Sequence, residues 1–226
     1  MIQTQGERPM KAIVTMFTCA LLLSAMTQQT NAAPKRGRRG TRTCINQPLE
    51  QAVEELAAEE AATLIHMREE EKLARDVYLA LHKTWGLRIF ANIAASEQRH
   101  TDALANLLAR HGIPDPVVDD TPGVLADEGL SELYEGLVAS GKESLVNALL
   151  VGATIEDLDI ADLEIAIAET DRPDLQQVYT NLLRGSENHL RAFIAWLAEW
   201  DESYTPQFIS QERFDEIIGT QPSRGR

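Results

Sequence analysis

Four long stretches of this sequence repeat apolar residues at the spacing of an α-helix, and this pattern restricts the chain to few folds. The predicted helices run over about Leu49–Thr84, Arg88–Arg110, Lys142–Thr170 and Pro173–Glu199. Neither the alternation typical of a half-buried strand nor a hairpin turn signature occurs in the sequence. We therefore predict an all-α protein.

The connections between these predicted helices differ in length. Gly86 ends the first helix and Pro173 fits the first turn of the fourth, so two connections are short. Residues 112–129 are rich in Pro, Asp and Gly, and they form a long connection that a short helix over about Leu130–Ala139 interrupts. Short loops make neighbouring helices antiparallel, and one long crossover between helices 2 and 3 is the topology of a ferritin-like four-helix bundle.

The N-terminal segment is typical of an export signal. A lysine and an apolar run over Ala12–Met26 follow Met10, which is the more plausible start, and small residues end the segment near Ala33. We predict a signal peptide over residues 1–33, and an uncleaved anchor is the alternative, although the run is short for a membrane span. A basic, disordered leader (34–48), the bundle domain (49–218) and a disordered tail (219–226) follow. The mature protein would be periplasmic or secreted, without stable membrane insertion.

The mature chain is strongly acidic. From Cys44 to Arg226 it has 34 acidic and 14 basic residues, and such a surface repels nucleic acid. Cys19 would leave with the signal peptide, so Cys44 would stand alone without an intramolecular disulfide. The sequence assigns no role to Cys44.

Polar side chains recur on the apolar face of all four predicted helices. Glu71 lies on the stripe of the first helix, with Glu69 better placed for solvent, and Glu97 and His100 lie on that of the second. A buried carboxylate is costly unless it is paired, hydrogen-bonded or bound to a metal. Each residue alone could be a solvated charge or a hydrogen-bonded core group. Their recurrence on every helix favours a metal site. The remaining residues of this set are Glu156, Asp159, Ser186 and His189.

Several segments resemble a known family. "EKLARDVY" (71–78) and "IFANIAASEQRH" (89–100) are similar to the first two helices of rubrerythrin-type ferritin-like proteins. The stretch from about Glu55 to Ile218 resembles the ferritin-like family named as domain of unknown function 2202. The segments "REEEKLARDVYLAL", "ASEQRHTDAL", "ALLVGATIEDLDIADL" and "GSENHLRAF" carry this resemblance.

The resemblance implies a set of metal ligands, and the sequence departs from it at one position. Ser186 lies three residues before the fourth-helix histidine, where a bridging glutamate is usual. The centre could thus be an asymmetric two-metal centre, a single-metal site or a polar network without metal, and Asp159 could replace the lost ligand. Tyr78 would line the site as a hydrogen-bond donor, be a side chain that can carry a radical, or simply be a core tyrosine whose hydroxyl is hydrogen-bonded. The implied ligands are Glu71, Glu97, His100, Glu156, Asp159 and His189.

Two functions follow as hypotheses. Carboxylates and imidazoles suit iron or manganese, and such a centre would support oxidase or peroxidase-like chemistry. The chain has no rubredoxin-like cysteine site, so an electron donor would be a separate partner. The alternative is a metal-free bundle with a structural or partner-binding role. An iron-storage cage has no specific support in the sequence. The oligomeric state, a homodimer included, stays open.

Overall fold

The computed structural model describes residues 55–220, and within that part of the chain it contains α-helices and no strands. The all-α prediction is confirmed. The predicted signal peptide, the basic leader, Cys44 and residues 221–226 lie outside the described residues. The helices are α1 (Ala58–Trp85), α2 (Arg88–Arg110), α3 (Glu128–Glu143), α4 (Leu145–Glu169), α5 (Pro173–Ala198) and α6 (Gln211–Gly219).

The largest differences from the predicted helix boundaries are at the start of α1 and at the α3–α4 junction. Residues 55–57 are not helical, so α1 begins at Ala58 rather than at Leu49. Lys142 belongs to α3 instead of starting the next helix. The reason is Ser144, whose hydroxyl accepts a hydrogen bond from the Asn147 backbone amide at 3.0 Å and caps the start of α4. Gly86 ends α1 in the left-handed conformation (φ 68°), as expected from its position.

The long helices pack in two close pairs, α1 with α2 and α4 with α5. α1 also contacts α4, α2 contacts α5, and α3 packs against both α1 and α4. Buried apolar side chains form two clusters, one containing Tyr78, Phe90 and Phe193 and the other containing Leu64 and Leu104. Along α1, α2 and α5, the predicted polar residues fall in sequence between the positions that supply the two clusters, whereas on α4 they precede Ile160 of the first cluster. The polar groups therefore separate two apolar layers.

Charged residues of α1 hold the long connection between α2 and α3. Lys72 is fully buried, and its ammonium donates to the Asp76 carboxylate at 2.6 Å and to the Thr121 carbonyl at 3.0 Å. Asp76 also accepts from the Gly123 backbone amide at 2.9 Å. Glu69 accepts from the backbone amide of Ala126 and is only 4% exposed, so the expectation that it faces solvent is wrong. Its partner lies in a connection more than fifty residues away.

Asp157 holds the segment after α5 in a similar way. Its carboxylate accepts hydrogen bonds from the Tyr204 hydroxyl at 2.7 Å and from the Phe208 and Ile209 backbone amides at 3.2 and 3.0 Å. These contacts bring residues 204–209 against α4. Within residues 55–220, none of the helices combines the length and apolar character needed to cross a membrane.

Candidate metal centre

Five of the predicted ligands come together between α1, α2, α4 and α5. The helical spacing places Glu97 and His100 on one face of α2, one turn apart. The three glutamates of the group are buried, with at most 1% of each exposed, and the two imidazole side chains are 11 and 12% exposed. The group consists of Glu71, Glu97, His100, Glu156 and His189.

Glu97 is the centre of this arrangement. Its Oε2 lies 2.6 Å from Nδ1 of His100, and its Oε1 lies 2.7 Å from Nδ1 of His189. One carboxylate therefore reaches an imidazole on its own helix and another on α5. The two imidazole rings are stacked, with centroids 5.7 Å apart and planes 26° from parallel.

Each histidine has a second carboxylate beside it. Nδ1 of His100 lies 3.1 Å from Oε2 of Glu71, and Nδ1 of His189 lies 3.3 Å from Oε2 of Glu156. The result is two groups of three ligands, Glu71–Glu97–His100 and Glu97–Glu156–His189, which share Glu97. Within each group the ligand atoms lie within 4.8 Å of one another. Each group thus offers one imidazole and two carboxylates.

Many of these atoms are close together without being hydrogen-bonded. Both oxygens of Glu97, Oε2 of Glu156 and Nδ1 of His189 have no hydrogen-bond partner among the described residues. The 2.7 Å distance between Glu97 and His189 is short enough for a hydrogen bond, so the geometry rather than the distance fails. Buried polar atoms are almost always satisfied in folded proteins. Atoms that converge as close ion pairs without well-aligned hydrogen bonds fit a shared cation.

Burial and the neighbouring charged groups shift the pKa values of these residues in opposite directions. Burial raises the pKa of Glu71 to about 8, even though the neighbouring His100 lowers it. Burial alone would lower the pKa of His189, but the carboxylates of Glu97 and Glu156 raise it to about 10. The pKa of Glu97 is well below its usual range, because the two imidazoles outweigh its burial. Glu97 is therefore the carboxylate that is most readily ionised.

The other predicted residues surround this group. The Tyr78 hydroxyl donates to Oε1 of Glu156 at 2.6 Å. Ser186 is fully buried, and its hydroxyl donates to the Leu182 carbonyl of its own helix at 3.4 Å. Asp159 is 1% exposed but belongs to neither ligand group, so the structure does not place it as a direct replacement for the missing fourth-helix carboxylate.

The backbone of α5 approaches one ligand closely. A Cβ atom added at Gly185 would lie 2.5 Å from both Cε1 and Nε2 of His100. A side chain at this position would displace the imidazole. Sequence reasoning missed this contact, because a glycine inside a predicted helix does not show which residue of another helix it faces.

Sequence reasoning also missed a third group of potential ligands, His66, Glu70 and Asp162, at the α1–α4 contact. The spacing of His66 and Glu70, four residues apart on one helix, was the available signal.

The fold and the site define a class of helical protein. Its core contains two groups of side chains, each with two carboxylates and one imidazole. The chain belongs to the family described as "Uncharacterized protein domain (DUF2202)", whose model matches residues 60–221.

Two further comparisons found similar proteins. The chain is 55% identical over 170 residues to the uncharacterized protein MJ0754 of Methanocaldococcus jannaschii, which covers 75% of this chain and 92% of that protein. The crystal structure of the hypothetical protein MJ0754 from Methanococcus jannaschii superposes with a TM-score of 0.74 at 51% identity. This match covers 80% of our chain and all of that one.

Proposed function

We propose that this protein is an exported, ferritin-like metalloprotein that holds two iron or manganese ions between α1, α2, α4 and α5. One observation carries the proposal. The two oxygens of the buried Glu97 approach two different histidines at 2.6 and 2.7 Å, and both oxygens lack a hydrogen-bond partner within residues 55–220. A carboxylate in this position is suited to bridge two cations.

The ligand chemistry supports iron or manganese. Glu71 and His100 would bind one ion, Glu156 and His189 the other, and Glu97 both. Carboxylate and imidazole donors suit these metals, while softer ions favour thiolates. Ferritin-like proteins use a glutamate from each of two helices and a Glu-x-x-His pair from each of the others. The order of α1, α2, long connection, α4 and α5 agrees with that topology.

The residues around the ligands define what the protein itself would contribute to catalysis. Bound iron or manganese would supply one-electron chemistry with oxygen or peroxide. The ligands themselves are at most 12% exposed, so bulk water has little access to the site. Tyr78 holds Glu156 in place through its hydroxyl. We propose an oxidase or peroxidase-like activity, with a separate protein as electron donor and a location outside the cytoplasm that follows from the predicted signal peptide.

Metal stoichiometry tests this function. The mature chain from Pro34 would be loaded anaerobically with Fe(II) or Mn(II), desalted and measured by elemental analysis. We expect that Glu97→Ala loses both core ions, and that Glu97→Gln, which keeps the size of the side chain, loses most of them. Glu132→Ala, at an exposed position of α3, is the matched control and should retain full metal content. Unchanged metal content in both Glu97 variants would reject the centre.

A metal-free polar network is the second candidate. Ser186 favours it, because this residue removes the carboxylate that a symmetric dinuclear centre would have on α5. Nδ1 of His100 and Oε2 of Glu71 already share a hydrogen bond at 3.1 Å, which shows that part of the group can pair internally. Bound metal stabilises the fold by mass action. If a chelator leaves the unfolding midpoint unchanged and elemental analysis finds no core metal, these residues form a metal-free polar network with a structural role.

A further inference from the structure

A second group of potential ligands lies on α1 and α4, outside the centre described above. It consists of His66 and Glu70, four residues apart on α1, and Asp162 on α4. Their ligand atoms all lie within 4.8 Å of one another, and Nε2 of His66 is 4.0 Å from Oε2 of Glu70. The chemistry of the group, one imidazole and two carboxylates, is the same as that of each half of the core centre.

The carboxylate of Glu70 gives an independent indication of a ligand. Glu70 is only 3% exposed, and its Oε2, the atom that faces His66, has no hydrogen-bond partner in the described part of the chain. His66, in contrast, has 43% of its side chain exposed. The group therefore combines a buried carboxylate that has one unsatisfied oxygen with an imidazole that an ion in solution can reach.

Asp159 lies near carboxylates of both this group and the core centre. It lies on α4 one turn before Asp162, and it is 1% exposed. Neither of its carboxylate oxygens has a hydrogen-bond partner within the described ranges. Burial and the nearby carboxylates of Glu71 and Glu70 raise its pKa. Glu70 and Glu71 are consecutive on α1, and Asp159 and Asp162 are one turn apart on α4, so the two ligand groups adjoin along both helices.

We propose that His66, Glu70 and Asp162 form a third site for a divalent cation such as Mn(II), from which ions pass along Asp159 to the core centre. The binding part of this inference is independent of the proposed function, and the delivery part rests on it. An imidazole beside two carboxylates favours Mn(II) or Fe(II) over Mg(II) or Ca(II), which take oxygen ligands alone.

The binding part is tested in a protein that lacks the core ligands. Mn(II) would be titrated into the mature chain, and free Mn(II) would be followed by electron paramagnetic resonance. The Glu97→Ala variant should retain about one ion per chain, as expected for a third site of this ligand set. Adding Asp162→Asn or His66→Gln to it should abolish that ion, whereas adding the exposed-site change Glu132→Gln should not. If the ion persists in both double variants, or if Glu97→Ala binds none, the site does not exist.

The delivery part is tested by the rate of loading. In the otherwise unchanged chain, His66→Gln and Asp159→Asn should each slow filling of the core at limiting Mn(II) by about tenfold, while saturating Mn(II) restores the same final core content. Equal loading rates in all variants would overturn delivery. A single ion in the wild-type chain that Asp162→Asn removes and Glu97→Ala does not would refute the core centre and support the third site. The two failures are therefore distinguishable.

Discussion

The Tyr78 hydroxyl donates a 2.6 Å hydrogen bond to Oε1 of Glu156, and this contact joins the apolar core to the candidate metal centre. Oε1 is thereby satisfied, while Oε2 of the same carboxylate has no hydrogen-bond partner among residues 55–220 and faces His189. The tyrosine thus fixes which oxygen of Glu156 is free to bind a cation.

We expect Tyr78→Phe to weaken metal binding in the Glu156 half of the centre by about 10–100-fold, as loss of a partner behind a ligand usually does. The affinity for the ion that Glu71 and His100 would bind should change little. Isothermal titration with Mn(II) measures both affinities. Tyr179→Phe is the matched control, because Tyr179 is equally buried and its hydroxyl lacks a hydrogen-bond partner in the described chain. Equal affinities in the two variants would contradict the role of Tyr78.

Gly185→Ala should disturb the His100 half of the centre. The new methyl group would lie 2.5 Å from two ring atoms of His100, so the imidazole must move away from Gly185 and its contact with Glu97 must change. We expect a loss of about 1–3 kcal/mol in the free energy of unfolding, typical of overpacking, and release of the ion bound by His100. Gly219→Ala serves as control, since nothing lies within 4 Å of a Cβ at that position. Elemental analysis and urea unfolding of both variants check the prediction.

The metal-free protein should become less stable as the pH rises from about 6 to about 9. The folded-state pKa values of Glu71 (about 8, from 4.5) and His189 (about 10, from 6.5) are both raised, so the folded chain binds more protons than the unfolded chain in this range. Stability from these groups is complete below their unfolded pKa values and is lost as the pH passes through the folded ones. Glu97, whose pKa is lowered, stays ionised and does not contribute here.

Urea unfolding midpoints of the chelator-treated protein at the two ends of this pH range measure the effect. Bound metal requires deprotonated ligands, so metal affinity should rise over the same range and metal binding at neutral pH should release protons. A midpoint that is constant or increases with pH in the metal-free protein would show that the carboxylates and imidazoles are not coupled as the distances suggest.

Asp76→Asn should destabilise the fold through the long connection. The change weakens the partner of Lys72, an ammonium with no exposed surface, and breaking a buried pair costs about 3–5 kcal/mol. We expect residues 112–127 to become sensitive to protease before the helices unfold. Glu132→Gln, on the exposed side of α3, should change the free energy of unfolding by less than about 0.5 kcal/mol. Limited proteolysis and urea unfolding distinguish the two variants.

Much of the helical framework was predictable because it depends on local pattern. The predicted and observed bounds of the second helix agree (Arg88–Arg110), since Gly86 ends α1 just before it and Gly112, also in the left-handed conformation, follows its own end. The convergence of Glu97, His100 and His189 was within reach for the same reason. A period of 3.6 residues shows which polar groups share a face with the apolar ones.

The remainder depends on contacts between distant parts of the chain. Lys72 and Glu69 have the sequence environment of a solvated helix surface, and only the connection that covers them makes them buried. The same is true of Asp157, whose partners at residues 204–209 follow α5. Periodicity identifies the face of a helix but not what lies against it. This is why the sequence predicted the candidate metal centre but not the residues that bind the connections between helices.

Every residue of α1 from Met67 to Tyr78 is buried, and opposite sides of this segment have different partners. One side presents Glu71 to the candidate centre, and another holds the connection through Lys72 and Asp76. A rotation of α1 about its axis would break both sets of contacts together. The position of Glu71 is therefore determined in part by a connection that contributes no ligand. Changes in residues 112–127 should alter metal affinity from a distance, and this connection is where natural variation could adjust the centre without replacing any of its ligands.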